Sequence, residues 1–248
     1  RNTEFIRIEK VHIYNSPKGI WCKALNRVVA DSVIRDVYVQ KPTEYGIYLQ
    51  DVTKTLVEKT AIANNASSFK AAIKLESPGE FASGPDSIPA NTFREIAIEN
   101  QVDSPGYGIE IEAINVQIRN TLISRISMLP LETATWIYLH NYNDQSYPNI
   151  INTVIELPSI NPMNNSSLIV IGPNVLSTRI RADGFHRNTL QTVISDSGSY
   201  TVINGYAEEA AGTGNPPSAN YNVGDIVRNI DDGTVWIMAK DGTWIQIA

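Results

Sequence analysis

One short phrase recurs about seven times along this chain, and it constrains the fold more than any other feature. Each copy is an apolar–outward–apolar strand, usually opened by a small residue. The clearest are Gly19-Ile20-Trp21, Gly46-Ile47-Tyr48-Leu49, Ala72-Ile73-Lys74-Leu75 and Gly108-Ile109-Glu110-Ile111. Trp136-Ile137-Tyr138-Leu139 and Leu168-Ile169-Val170-Ile171 continue the series, and Tyr200-Thr201-Val202-Ile203 is its weakest member. Centred on residues 20, 47, 73, 109, 137, 169 and 202, the copies are spaced by 27, 26, 36, 28, 32 and 33 residues. A period in this range marks a solenoid, a propeller or an array.

A second alternating strand precedes each of the early copies. Val11-His12-Ile13-Tyr14, Val37-Tyr38-Val39, Thr60-Ala61-Ile62-Ala63 and Ile96-Ala97-Ile98-Glu99 each run into Asn, Lys-Pro or Asn-Ser-Pro punctuation. Period-two alternation closed by turn residues reads as strand and turn. The stretch 54–63 has some helical character, but Val57, Thr60 and Ile62 are β-branched and favour a strand. Two or three short strands per coil of ~26 residues, without helices, describe a right-handed parallel β-helix. Propeller blades are longer and need tight hairpin signals that are missing here. The longer gaps hold an inserted loop at 77–90, Pro158, Pro162 and a polar Met-Asn-Asn-Ser-Ser turn within 137–169, and an aromatic, polar stretch at 140–149. Insertions in a solenoid fall on loops of one face.

With 248 residues the chain can bury a large core, and one domain with a small appendage is the simplest division. The formal charge of −6 argues against nucleic acid or insertion at an anionic membrane, since either needs basic surface. No apolar run approaches the ~20 residues of a spanning helix. Cys22 is alone, which excludes an intrachain disulfide and a cysteine metal site. The histidines His12, His140 and His186 are far apart in register, so neither metal nor cofactor is expected. Asp36, Asp51 and Asp103 are read as turn residues bonding local amides. Arg1 in place of an initiator Met suggests a fragment, with coils or an anchoring region N-terminal to it.

The pattern changes near residue 206. Residues 1–205 are assigned to the β-helix and 206–248 to a linker and a small three-stranded module. The linker, 207–220, is small, polar and Gly/Pro-rich, and ends at Pro216-Pro217. Tyr221–Val227, Thr234–Ala239 and Thr243–Ile247 read as the strands. So small a unit cannot stand alone, so it should pack on the last coil or on copies of itself.

Over roughly 5–205 the coil phrase resembles the pectate-lyase-like right-handed β-helices, above all bacteriophage tailspike and neck-appendage proteins. The tail, with Tyr221, Gly224, Asp225, Ile226, Val227, Trp236, Gly242, Thr243 and Trp244, is similar to a module at the ends of phage tail fibres. The resemblance implies a homotrimer on the virion tail, joined to other tail proteins through a region N-terminal to this chain. It also implies adsorption to host surface polysaccharide, often with its hydrolysis. A secreted cellular polysaccharide-active enzyme, a pectin-type lyase or glycosidase, is the alternative.

Stacking the copies in register yields two outward columns without reference to any family. The first reads Trp21, Tyr48, Lys74, Glu110, Tyr138 and Val170; the second reads Lys23, Gln50, Glu76, Glu112, His140 and Gly172. Coils lie ~4.8 Å apart and outward neighbours on a strand ~6.5–7 Å apart. Tyr48, Lys74, Tyr138 and His140 are therefore the candidate glycan-binding residues, since sugars stack on rings and bond to rigidly placed polar groups. Glu76, Glu110 and Glu112 are the candidate catalytic carboxylates. Cross-coil spacing suits a retaining pair and along-strand spacing an inverting pair, with mutual repulsion raising one pKa. The competing reading is a surface ion pair between Lys74 and Glu110, worth ~0–1 kcal/mol. On either reading these positions are expected to be exposed, and Glu110→Ala nearly neutral for stability.

Overall fold

The glycines that open two of the repeated phrases are there because each strand nearly touches both limbs of the next coil. A Cβ on Gly46 would meet the Ala72 carbonyl oxygen at 2.6 Å and the Ile62 side chain at 2.8 Å; one on Gly19 would meet Gly46 and Val39 at 2.5 Å. Only a hydrogen in place of a side chain allows that approach. The computed structural model describes residues 3–24, 28–64, 66–79, 87–100, 106–129, 135–142, 150–157, 169–182, 194–203, 206–209, 211–217, 221, 225–239 and 243–247. Parallel strands stack as a β-helix of about 5 turns with a small antiparallel sheet at the C-terminal end.

The phrases build a seven-stranded parallel sheet from Lys18–Lys23, Tyr45–Gln50, Ala71–Glu76, Tyr107–Ala113, Ile137–Asn141, Ile169–Ile171 and Ile194–Asp196. Ile20, Ile47, Ile73, Ile109, Ile137 and Ile169 stand in one register and are buried. Leu49, Leu75, Ile111, Leu139 and Ile171 form the next inward column. Each such side chain contributes about 1.5–3 kcal/mol by leaving water. The weakest copy is corrected. The seventh strand of this sheet is Ile194–Asp196, paired through Ile169 and Ile194, whereas Val202–Ile203 pairs with Arg179–Ala182 in the other large sheet. Ser195 and Asp196 thus lie in a strand.

The other large sheet runs through Arg7–Tyr14, Val33–Gln40, Leu56–Asn64, Thr92–Asn100, Leu122–Leu129, Val154–Leu157 and Arg179–Ala182. Of the stretch 54–63, residues 56–63 lie in the strand Leu56–Asn64, while Lys54 belongs to the corner before it. Five of these strands bend sharply at Lys10, Asp36, Lys59, Glu95 and Arg125, all with φ between 48° and 56°. A second ladder of left-handed residues, Asp31, Lys54, Ala90, Asn120, Asn152 and Ser177, turns each coil out of short third-wall strands such as Ser87–Pro89 and Gln117–Arg119. This conformation costs ~1–2 kcal/mol for a residue with a Cβ, so packing of the stacked coils must impose it.

Two kinds of column tie the coils together. Outside, Glu9, Arg35, Glu58 and Arg94 stand in register with alternating charge, and Glu156 and Arg181 repeat the pattern after Ser124. Arg94 Nε is 2.7 Å from Glu58 Oε2, and Arg35 pairs with Glu9. Inside, just past the second bend, Ser32, Thr55, Asn91, Thr121, Thr153 and Thr178 are all buried. Asn91 Oδ1 accepts from the Thr55 amide at 3.0 Å while its Nδ2 donates to the Val52 carbonyl at 3.1 Å.

At the C-terminal end the second sheet continues past Val202–Ile203 into Tyr206–Glu209, Ile226–Asn229, Val235–Met238 and Trp244–Gln246. The tail module therefore extends a sheet of the last coils. Arg179 of the last long limb grips Asp225 through both guanidinium nitrogens, at 3.0 and 2.5 Å. Tyr221 is buried, with Tyr200 and Trp244 edge-on to its ring. The Tyr and Asp that mark this module in the sequence are thus its internal anchors. Asp103, His186 and residues 143–149 and 158–168 lie outside the described residues.

Candidate functional site

The outer face of the seven-stranded sheet carries the charge and rings that the sequence columns anticipate. Strand pairing sets Trp21 beside Tyr48, Tyr48 beside Lys74, Lys74 beside Glu110, Glu110 beside Tyr138 and Tyr138 beside Val170. One step along, Lys23, Gln50, Glu76, Glu112 and His140 follow in the same order. All seven candidate residues share the face.

Their exposure differs from expectation. Lys74, Glu76 and Glu110 are each 7% exposed and Glu112 is 9% exposed, while Tyr48, Tyr138 and His140 are half-buried. Long side chains on neighbouring coils fold onto one another and are overlaid by rings. The Lys74 ammonium lies 3.0 Å from Glu110 Oε1, 2.6 Å from Glu112 Oε2 and 3.7 Å from Glu76 Oε2. His140 Nε2 approaches Glu110 Oε1 at 3.1 Å. Glu76 Oε1 accepts from the Tyr48 hydroxyl and from Gln50 Nε2 at 2.5 Å, and Gln50 Oε1 accepts from Trp21 Nε1 at 2.6 Å. A continuous polar chain thus links Trp21 to His140 across five coils. Glu110 is not a tolerant surface position, and the ion pair with Lys74 is not a solvent-screened one.

Burial by itself would raise the Glu110 carboxyl, but the His140 hydrogen bond and the Lys74 charge outweigh it and hold it below the usual value. Burial opposes the Lys74 charge too, yet Glu110 and Glu112 outweigh that and raise its pKa. The repulsion expected to raise a catalytic acid is therefore overcome at Glu110, because an ammonium sits among the three carboxylates. Burial and the Glu76 hydrogen bond push the Tyr48 hydroxyl upward, so it stays a donor at neutral pH. Burial also pushes the Cys22 thiol up to about 11, which leaves it unreactive.

Glu110, Glu112 and His140 bring ligand atoms within 4.8 Å of one another, a set the histidine spacing did not suggest. Two carboxylates and an imidazole suit a divalent cation. Here the Lys74 ammonium already bonds the Glu110 and Glu112 oxygens such a cation would need.

The aromatic frame is larger than the sequence columns show. Tyr45 stacks on Tyr48 with centroids 4.7 Å apart; Tyr107 lies 4.8 Å from Tyr138, which stacks on His140 at 4.1 Å. Trp21 is 54% exposed, and Lys18 Nζ stands 4.2 Å above its ring. Tyr45 and Tyr107 were not legible from alternation: each lies three positions before an outward residue, an odd offset that period two assigns to the inward face, yet both pair with Ala71 and their rings join the outer face. Between them opens a cleft of about 320 Å³, lined by Ser67, Ser68, Phe69 and Lys70, with Lys74 and Glu110 at its base. Asp51, expected to bond a local amide, accepts from the Gly79 amide at 3.0 Å, 28 residues away. Comparison with protein-family models and with curated proteins returns no match for this chain.

Proposed function

We propose that this chain is the glycan-recognising solenoid of a bacteriophage tailspike or neck appendage, binding host surface polysaccharide during adsorption. The observation that carries the reading is the arrangement on one rigid sheet. Trp21, Tyr45 and Tyr48 stand at one end, Tyr107, Tyr138 and His140 at the other, and a buried ionic cluster lies between them. Sugar rings stack on such frames, and preformed strands need little ordering on binding. Tyr138→Ala should weaken binding of purified host polysaccharide roughly 3- to 10-fold, and the Tyr48→Ala, Tyr138→Ala pair more than either alone. Isothermal titration beside thermal melts checks this. Unchanged affinity in the folded double variant would remove the hypothesis.

A depolymerase reading is kept because three carboxylates sit at the centre of the same face. Release of new reducing ends by the wild-type chain separates cleavage from binding alone. The proposal includes a homotrimer on the virion tail. Ile230, Ile245 and Ile247 of the tail module are exposed apolar side chains, and closed symmetry is the economical way to cover them. Light scattering should report a trimer for the full chain and a smaller species for Ile245→Glu, Ile247→Glu. A stable wild-type monomer would sink this part.

A further inference from the structure

The cleft beside the ionic cluster has a shape and a charge that restrict its possible contents. In the outward column that begins at Lys18 and Tyr45, the next coil contributes only Ala71, and Tyr107 comes after it. Two tyrosines therefore flank a position with a single methyl group, on backbones two coil spacings, ~9.6 Å, apart. Two van der Waals contacts take up ~7–8 Å, so the slot admits one ring with a tyrosine on either side. Each ring is held in place by a neighbour, Tyr45 stacking on Tyr48 and Tyr107 packing on Tyr138. Ser67 and Ser68 are exposed at the mouth, and Lys74 and Glu110 form the base.

The charge is as specific as the width. Three carboxylates, Glu76, Glu110 and Glu112, are gathered around the Lys74 ammonium. Lys70 at the rim, with its Nζ 5.5 Å from the Tyr45 ring, adds a second cation. Of the three carboxylates only Glu110 lines the slot, but Glu76 and Glu112 also reach the Lys74 ammonium, at 3.7 and 2.6 Å, so around the slot carboxylates outnumber ammonium groups three to two. Lys74 is committed to the acidic side chains, and its positive charge is neutralised within the protein. An acidic sugar in the slot would face Glu110 across a partly desolvated gap, where like charges repel more than in water.

Resting on the glycan-binding reading above, we propose that the Tyr45–Tyr107 slot holds one pyranose ring of the bound glycan, and that this ring is uncharged or amine-bearing rather than a uronate. The two tyrosines cover its faces. The Ser67 and Ser68 hydroxyls and the Glu110 carboxylate take its hydroxyl or ammonium groups. Glu110 is ionised and accepts hydrogen bonds, which suits donors on the sugar and rejects a second carboxylate.

The test is an array of neutral, amino-substituted and uronate-bearing oligosaccharides probed with the full chain and two variants. Ser67→Trp fills the mouth from an exposed position with no buried contact to lose, and Tyr107→Ala removes one wall. The expected result is signal on neutral or amino spots, little on uronate spots, and an affinity about tenfold lower in each variant. Thermal melts confirm that the Ser67→Trp chain is folded. Signal concentrated on uronate spots, or undiminished in both variants, would overturn the slot assignment while leaving glycan binding standing. No signal from the wild-type chain on any spot would overturn both.

Discussion

Replacing Lys74 by methionine should lower the unfolding free energy by about 3–5 kcal/mol at neutral pH, the scale expected when a buried charge pair loses one partner. The methionine fills similar space, so the loss is electrostatic. Glu110, Glu112 and Glu76 would remain under a tenth exposed with no ammonium among them. The pH dependence identifies the cause. In the wild-type chain Glu110 is held below its usual pKa. Its contribution is therefore present above the unfolded value, ~4.3, and is lost as pH falls through the folded one. In the variant both Lys74 contributions are gone, and burial, now joined by unscreened repulsion from Glu76 and Glu112, stands against His140 alone, which pushes the Glu110 carboxyl up. The folded state then binds a proton more readily than the unfolded chain, and stability rises as pH falls from 7 toward 5. Urea unfolding at several pH values would show opposite slopes for the two proteins. Parallel slopes would mean that Lys74 does not hold the cluster together.

The register of this face was legible because side-chain direction in a strand has a period of two, and a repeated phrase fixes the phase. Tyr48, Lys74, Glu110 and Tyr138 could therefore be placed in one column from spacing alone. Exposure was not legible. Sequence alternation says that Glu112 points away from the core, but not that Lys74 and the neighbouring rings lie over it. The coil corners were hidden for a different reason. Left-handed turns advertise themselves through Gly or Asn, and Lys59, Glu95 and Arg125 are neither. Those bends are set by the stacking of whole coils, which no single window of sequence contains. The misassigned seventh phrase has the same origin. Tyr200-Thr201-Val202-Ile203 alternates correctly, but the chain had already used Ile194–Asp196 for that sheet.

Truncating Ile109 to alanine should cost about 2–5 kcal/mol, the range for deleting a fully buried branched side chain without collapse of the cavity. Ile109 is in register between Ile73 and Ile137, in the middle of the stacked coils, so neighbouring limbs fixed by backbone pairing cannot close the gap. Glu110→Ala, one residue away and on the opposite face, should also destabilise, by about 1–3 kcal/mol, because His140 and Lys74 each lose a buried bond. Size alone therefore does not tell the inward position from the outward one, as it would if the outward face were wet. The two losses differ in their response to acid. The wild-type chain forfeits the Glu110 contribution as that carboxylate protonates, so the gap between wild type and Glu110→Ala should narrow once pH falls below the unfolded value, ~4.3, and close below the lower folded one. The gap for Ile109→Ala comes from a cavity that carries no charge, and it should persist at every pH where the chain folds. Denaturant melts of both variants across that range are the check. An Ile109→Ala deficit that vanished in acid would place Ile109, and with it the whole inward column, on the wrong side of the sheet.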